Sequence, residues 1–260
     1  MLAEERKQII MHLLSERRAV RVRELSDMFQ ITEATVRRDL EDLQQENLLQ
    51  RIHGGAVPIE PVAYAGVGAF LSRNRNAKIA IAKKACEFIE SYDVIALDNA
   101  TTTYELMRCI KKEIQIGSLH DLTVVTHSMG LMTEFKGCDG LEIIMAGGRY
   151  DKEWDCTTGE MTRDTYRMLR VDKAFFGTDA IDPIEGYSVP GPAEAAIKKC
   201  MVEIAKERYV LADHTKFNNR ILERFAKASG DVDIIITDRH ADFNKNFLHM
   251  SSDTEIVFAD

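Results

Sequence analysis

No run of about 18 apolar residues occurs in the 260-residue chain, so nothing in it reads as a membrane-spanning helix. Cysteine is scarce: Cys86, Cys109, Cys138, Cys156 and Cys200 are irregularly spaced and form no CxxC pair. That spacing excludes a disulfide framework and a zinc site of the usual kind. The seven histidines are equally scattered, with no HExxH or similar pairing, and no metal or other cofactor is expected. Internal repeats and low-complexity tracts are missing too. The first residues, around Glu4-Glu5-Arg6-Lys7, lack the apolar stretch of a secretory signal, so the expected compartment is the cytoplasm. Positive charge is also short, with 34 Lys and Arg against 42 Asp and Glu and a net charge of −8. What is present is 45% apolar and 29% charged residues, enough for a real core and a solvated surface. The length suits one large domain and a small one.

Residues 24–57, ELSDMFQITEATVRRDLEDLQQENLLQRIHGGAV, pack a short helix, a tight turn, a second helix and a basic Gly-Gly hairpin with no spare residues. Thr32 suits the N-cap of the second helix, its hydroxyl accepting from amides of the next turn. Val36, Leu40 and Leu43 recur at i, i+4 and i+7, so that face is buried. Thr35, Arg37 and Arg38 lie off the stripe, in the part of a helix-turn-helix that meets base edges in the major groove. Arg51 and His53 flank Gly54-Gly55, a turn suited to the tip of a wing on the phosphate backbone. Upstream, helices are expected over Ala3 to Ser15, with Ile9, Ile10, Leu13 and Leu14 inward, and over Val22 to Phe29.

Residues 1–57 hold nine Lys and Arg against ten Asp and Glu, and the other 203 hold 25 against 32. Placement therefore matters more than the sum. Arg18, Arg21 and Arg23 are expected to share the DNA face, while Glu41, Asp42 and Glu46 fall where the recognition helix leaves the groove. Modest non-specific affinity follows, and tight binding to double-stranded operator DNA would need a homo-oligomer, a dimer or tetramer. The expected domains are a winged helix-turn-helix over 1–57, a linker over 58–74 containing Pro58, Pro61 and the Gly66 to Gly68 stretch, and an α/β domain over 75–260.

In that last part, short apolar runs alternate with helical patterns. Strands are expected at 94–97, 123–126, 142–145, 173–176, 209–212, 234–237 and 256–258. Helices are expected at 78–90, 102–112, 129–135, 161–170, 192–206 and 218–229. This alternation predicts a mostly parallel sheet with ligands collecting outside its carboxyl ends. Those ends are polar: Asp98-Asn99-Ala100-Thr101-Thr102-Thr103, Thr126-His127-Ser128, Gly147-Gly148-Arg149, Gly177-Thr178-Asp179 and Asp213-His214-Thr215-Lys216. Three threonine hydroxyls at a helix N-terminus form a phosphate cradle. Arg149 and Lys216 supply cations, and Asp98, Asp179 and Asp213 supply acceptors for sugar hydroxyls. On this reading Thr102→Val, Asp98→Ala and Lys216→Ala should fold and respond poorly to an effector.

The stretch from Glu24 to Val57, with Thr35-Val36-Arg37-Arg38-Asp39-Leu40 and Arg51-Ile52-His53-Gly54-Gly55-Ala56, resembles the N-terminal signature of DeoR-type bacterial transcriptional regulators. Residues 75–240 resemble their sensor domain through Lys78 with Ile81-Ala82, the Asp98 to Thr103 loop, Thr126 to Ser128, Gly147-Gly148, Gly177 to Ile181, Glu194 with Lys198, and Asp213 to Lys216. The resemblance implies a sensor fold related to ribose-5-phosphate isomerase and glucosamine-6-phosphate deaminase, with a phosphorylated sugar or polyol as effector. The effector set is then Asp98, Thr101, Thr102, Thr103, His127, Ser128, Arg149, Asp179, Lys198, Asp213 and Lys216. Family members usually carry Gly at 100 and Asn at 127, where this chain has Ala100 and His127. The alternative is an isomerase-like enzyme with an accessory DNA-binding domain. Against it, the isomerases' general base aligns with Lys198, and a protonated lysine abstracts no carbon-bound proton; Glu194, one turn earlier, is the possible substitute. A regulator, most simply a repressor, is the favoured reading.

Overall fold

The computed structural model describes the chain apart from residues 1–5, 8, 12, 15–19, 46–48, 53, 59–72, 136 and 240–252. It divides into two compact units, 1–72 and 73–260. The expected linker lies largely outside the described residues, as do Arg18 and His53.

In the first unit, the described residues among 6–14 are helical. They precede β1 (Val20–Arg21), α1 (Val22–Phe29), α2 (Glu33–Gln45), β2 (Leu49–Ile52) and β3 (Gly55–Pro58). Helix α1 ends at Gln30, whose left-handed backbone (φ 54°) turns the chain. The Ser26 hydroxyl then donates to the Ile31 carbonyl, closing the turn. Thr32 caps α2, with the Thr35 amide 3.3 Å from its hydroxyl oxygen. Val36, Leu40 and Leu43 are buried with Ile10, Leu14, Leu25 and Leu49. Ile9, expected inward, is 37% exposed. At about 100° per residue it falls roughly a quarter turn from the Ile10, Leu13 and Leu14 stripe, at the margin of the buried face. Arg6 reaches across this core to the buried Asp39 through two hydrogen bonds of 2.7 and 3.0 Å. The three strands pair antiparallel in the order β1-β3-β2. Opposed Ile52 and Gly55 leave a two-residue turn, in which Gly54 adopts φ 83°. A Cβ on Gly55 would lie 2.1 Å from the Val20 carbonyl oxygen, so only glycine lets β3 approach β1 there.

In the second unit, seven described strands form one parallel sheet. They are β4 (Val94–Leu97), β5 (Leu122–Thr126), β6 (Leu141–Met145), β9 (Val171–Gly177), β12 (Ala205–Leu211), β14 (Ile234–Asp238) and β15 (Glu255–Ala259). Their order is β15-β14-β12-β9-β4-β5-β6. Accompanying helices are α3 (Arg75–Cys86), α4 (Thr101–Gln115), α5 (Met129–Glu134), α6 (Glu160–Arg167) and α7 (Pro192–Ile204). Central strands are buried on both faces, as with Ile95, Ala96, Leu97, Phe175, Phe176, Val210 and Ile235, which accounts for their continuous apolar runs.

Two additions break the strand–helix alternation. One is the hairpin of β7 (Arg149–Asp151) and β8 (Cys156–Thr158). The other is the antiparallel sheet of β10 (Ala180–Asp182), β11 (Gly186–Val189) and β13 (Glu223–Ala226). Strand β13 replaces the helix expected at 218–229. Its apolar residues read as a helical stripe in isolation, but pairing with β11 buries Phe225 and Ala226 in the core. Tertiary pairing overrides local periodicity here. Ile221 and Leu222, which a helix would have buried, stand 37% and 79% exposed.

Candidate functional site

On the first unit, Arg37, Arg51, Ile52, Gly54, Gly55 and Val22 line one cleft between α2 and the hairpin β2–β3. Arg37 is exposed and its guanidinium donates to Glu33 at 2.6 Å, an i,i+4 surface pair that costs little to break. Arg38 is exposed and has no ion pair among the described residues. Arg51 lies 3.5 Å from Glu41, and its backbone amide donates to Gln44. The Thr35 hydroxyl is 3.0 Å from that of Thr32, tied into the cap rather than held free. Recognition helix and hairpin thus present their cations to a common space.

On the second unit, the chemistry gathers where the parallel strands end. Asp98, at the end of β4, has no solvent exposure. One carboxylate oxygen accepts from the Ala100 amide (3.0 Å) and the Thr103 hydroxyl (2.8 Å). The other accepts from the Gly177 amide (2.9 Å) and the ammonium of Lys198. Lys198, on α7, is equally buried; it also donates to the Gly177 carbonyl and lies 3.3 Å from Glu194. Burial alone would lower its pKa, but Asp98 and Glu194 outweigh it and hold the ammonium above its ordinary value. Partial burial also raises the Glu194 pKa from its ordinary value, against the pull of Lys198. A Cβ on Gly177 would fall 2.5 Å from that of Ala100, so the β4 and β9 loops touch through glycine on one side and alanine on the other.

Helix α4 starts beside this pair. Ala100 offers no side-chain cap, and the amides of Thr101, Thr102 and Thr103 find no acceptor among the described residues. Thr102 is buried with its hydroxyl unpaired among them, while the Thr103 hydroxyl is committed to Asp98 and the Ala100 carbonyl. Ser128 is also committed, capping α5 through the Leu131 amide and pairing with the Tyr104 hydroxyl.

A second group forms around β12. Asp213 accepts from the Thr215 amide and from Asn74 at 3.0 and 3.1 Å. Burial would raise its pKa, but these donors and Lys216 hold it below the ordinary value. Lys216 reaches Asp179 at 3.1 Å, and Asp179 lies close enough to act on Lys198 and Glu194, so both groups share one field. Lys78, from α3, is 5% exposed, and burial, opposed by Asp213, lowers its pKa to about 8. Lys78 thus stands beside Asp213 and Lys216, a placement that residue patterns alone do not assign. The available signal was a lysine at the head of a buried i, i+3, i+4, i+7 stripe with Ile81, Ala82 and Ala85.

Arg149 departs from expectation. It sits exposed in β7, with no side-chain hydrogen bond or ion pair among the described residues to any of these groups. Its hairpin instead joins neighbouring loops through its own backbone groups, which meet one side chain and two backbone partners. Asn99 donates to the Trp154 carbonyl at 3.5 Å, Met129 to the Asp155 carbonyl at 2.9 Å, and Thr157 to the His127 carbonyl at 2.8 Å. Gly148 (φ 154°) makes this possible, since a Cβ there would strike Thr162 and the Thr158 carbonyl.

A winged helix-turn-helix followed by an α/β unit with a charged, buried strand-end site defines a transcriptional regulator with a sensing domain. The chain belongs to the DeoR family: residues 73–239 match the DeoR C terminal sensor domain, and residues 6–62 the DeoR-like helix-turn-helix domain. Among curated relatives, the HTH-type transcriptional regulator GlpR of Haloferax volcanii is 34% identical over 239 residues, covering 92% of this chain and 91% of its own. The uncharacterized HTH-type transcriptional regulator YulB of Bacillus subtilis is 34% identical over 245 residues, covering 93% and 91%. The transcriptional repressor AccR of Agrobacterium fabrum is 30% identical over 237 residues, covering 90% and 89%. Among solved structures, a D-ribose-5-phosphate isomerase in complex with phospho-erythronic acid aligns with TM-score 0.41 and 23% identity. That match spans only about half of each chain, 55% of this one and 54% of the isomerase, and it does not bear on activity. Among the described residues no helix is long and apolar enough to cross a membrane.

Proposed function

We propose that this regulator is a cytoplasmic repressor of sugar or polyol metabolism genes, acting as a dimer or tetramer and controlled by a phosphorylated sugar or polyol bound at the strand ends. The observation that carries the reading is the convergence of charge there: the buried Asp98 with Lys198, the buried Asp213 beside Lys78, and the half-buried Asp179 with Lys216. The phosphate is assigned to the open amides at the start of α4, the Thr102 hydroxyl, Lys78 and Lys216. The sugar hydroxyls are assigned to Asp179, Asp213 and His127. Asp98, Thr103 and Ser128 hold the loops in place, and Arg149 would reach the ligand only from the hairpin. Relatives named as repressors, such as AccR, support the sign of control.

The same geometry supports sensing rather than catalysis. Lys198 stands where the family resemblance places an isomerase's base, and an ammonium held by Asp98 and Glu194 cannot accept a proton from carbon. Operator release would follow only if the effector binds the released state more tightly than the DNA-competent one.

The single tryptophan provides the test, because Trp154 lies at the hairpin tip against the Asn99 loop. Titrating the full-length protein with C3 to C6 sugar and polyol phosphates should change its emission saturably for at least one compound. The unphosphorylated counterpart should have no effect at the same concentration. Thr102→Val should weaken that response at least about tenfold, as expected for losing a hydrogen bond to a charged group. Equal responses with and without phosphate, or an unchanged Thr102→Val titration, would remove the phosphate assignment.

A further inference from the structure

His127 closes β5 and is 2% exposed, its ring edge-on to the fully buried Tyr166 with centroids 5.9 Å apart. Its Nδ1 lies 2.9 Å from the Tyr166 hydroxyl. Burial lowers the imidazole pKa to about 4 and raises that of the phenol well above its ordinary value. At neutral pH both groups are therefore uncharged, and the imidazole carries one proton. Were that proton on Nδ1, the Tyr166 hydroxyl hydrogen would have no acceptor among the described residues. A buried donor left unmade costs about 1–3 kcal/mol. With the proton on Nε2, Nδ1 accepts from the phenol, and the one donor left open is the Nε2–H, whose nitrogen is not sealed from solvent as the Tyr166 hydroxyl is.

The backbone is equally fixed, because Thr157 of β8 donates to the His127 carbonyl at 2.8 Å. The charges that reach the ring are Asp98 and Lys198, the central pair of the strand-end site. We infer that Tyr166 is a positioning residue that locks His127 as its Nε2–H tautomer, and that this N–H donates a hydrogen bond to an oxygen of the effector. The inference rests on the strand-end reading of the effector site. It gives the site an uncharged donor beside its ammonium groups, suited to a hydroxyl or carbonyl oxygen rather than to the phosphate.

Two measurements on the full-length protein test it. In histidine-labelled 15N spectra at neutral pH, with the resonances assigned by their loss in His127→Asn, wild type should show a bare Nδ1 and a protonated Nε2. Tyr166→Phe should show a mixture of tautomers. In operator-release titrations with C3 to C6 sugar and polyol phosphates, His127→Leu should raise the half-effect concentration at least about tenfold. His127→Asn, which keeps a neutral N–H donor, should stay within about threefold of wild type, and Tyr166→Phe should fall between. If His127→Leu does not fold, Tyr166→Phe, which preserves the ring packing, decides the matter. An unchanged tautomer in Tyr166→Phe overturns the positioning role. A normal response in His127→Leu overturns the donor role alone. A wild type indifferent to the whole panel overturns the effector-site reading beneath both.

Discussion

Asp98→Ala is expected to destabilise the sensor domain by about 3–5 kcal/mol, a large part of the roughly 5–15 kcal/mol that holds a domain folded. The carboxylate has no solvent exposure and accepts from Ala100, Thr103, Gly177 and Lys198. Its removal strands the Lys198 ammonium in the interior, with the Gly177 carbonyl, Glu194 and the Phe225 ring as its partners among the described residues, and orphans two amides. Lys198→Met should cost less, because Asp98 keeps three donors. Urea unfolding of both variants checks the order; a loss below about 1 kcal/mol for Asp98→Ala would contradict it. The sequence alone suggests a variant that folds and fails only to respond. Burial makes Asp98 a keystone of the loop instead, so a silent Asp98→Ala would not identify a ligand contact.

The Arg37→Ala/Arg38→Ala double variant should lose about 2–6 kcal/mol on the operator, since each base-reading arginine contributes about 1–3 kcal/mol. Affinity would fall on the order of 30-fold or more. Arg38 is exposed and without an ion pair among the described residues, and Arg37 gives up only a surface contact with Glu33. Arg51→Ala should weaken all duplexes alike and reduce the salt slope by about one, as a phosphate contact does. Fluorescence anisotropy with operator and random duplexes separates the two behaviours. Unchanged operator binding by the double variant would remove α2 from the DNA interface.

The helix-turn-helix was legible because short-range chemistry determines it. The Thr32 cap, the Val36, Leu40 and Leu43 stripe and the glycine hairpin act within a few residues of one another. The parallel sheet was legible for a similar reason: strands buried on both faces are continuous apolar runs. What stayed hidden depends on distant partners. Strand β13 exists only because β11 lies beside it, and Lys78 joins the site only because α3 faces Asp213. The strand ends were visible as polar residues, but the division between ligand-facing and loop-holding groups was not. Thr102 and Thr103 look alike in sequence, yet only Thr103 has its hydroxyl committed to Asp98.

On the proposed reading, control of DNA binding rests with a phosphorylated ligand at these strand ends. It is tested most directly by the anisotropy of a labelled operator duplex, selected from a random pool and bound by the full-length protein, during titration with C3 to C6 sugar and polyol phosphates and their unphosphorylated counterparts. At least one phosphorylated compound should lower operator occupancy at concentrations where its unphosphorylated counterpart does nothing. Occupancy unmoved by the whole panel, with the protein folded and operator-bound, would contradict it.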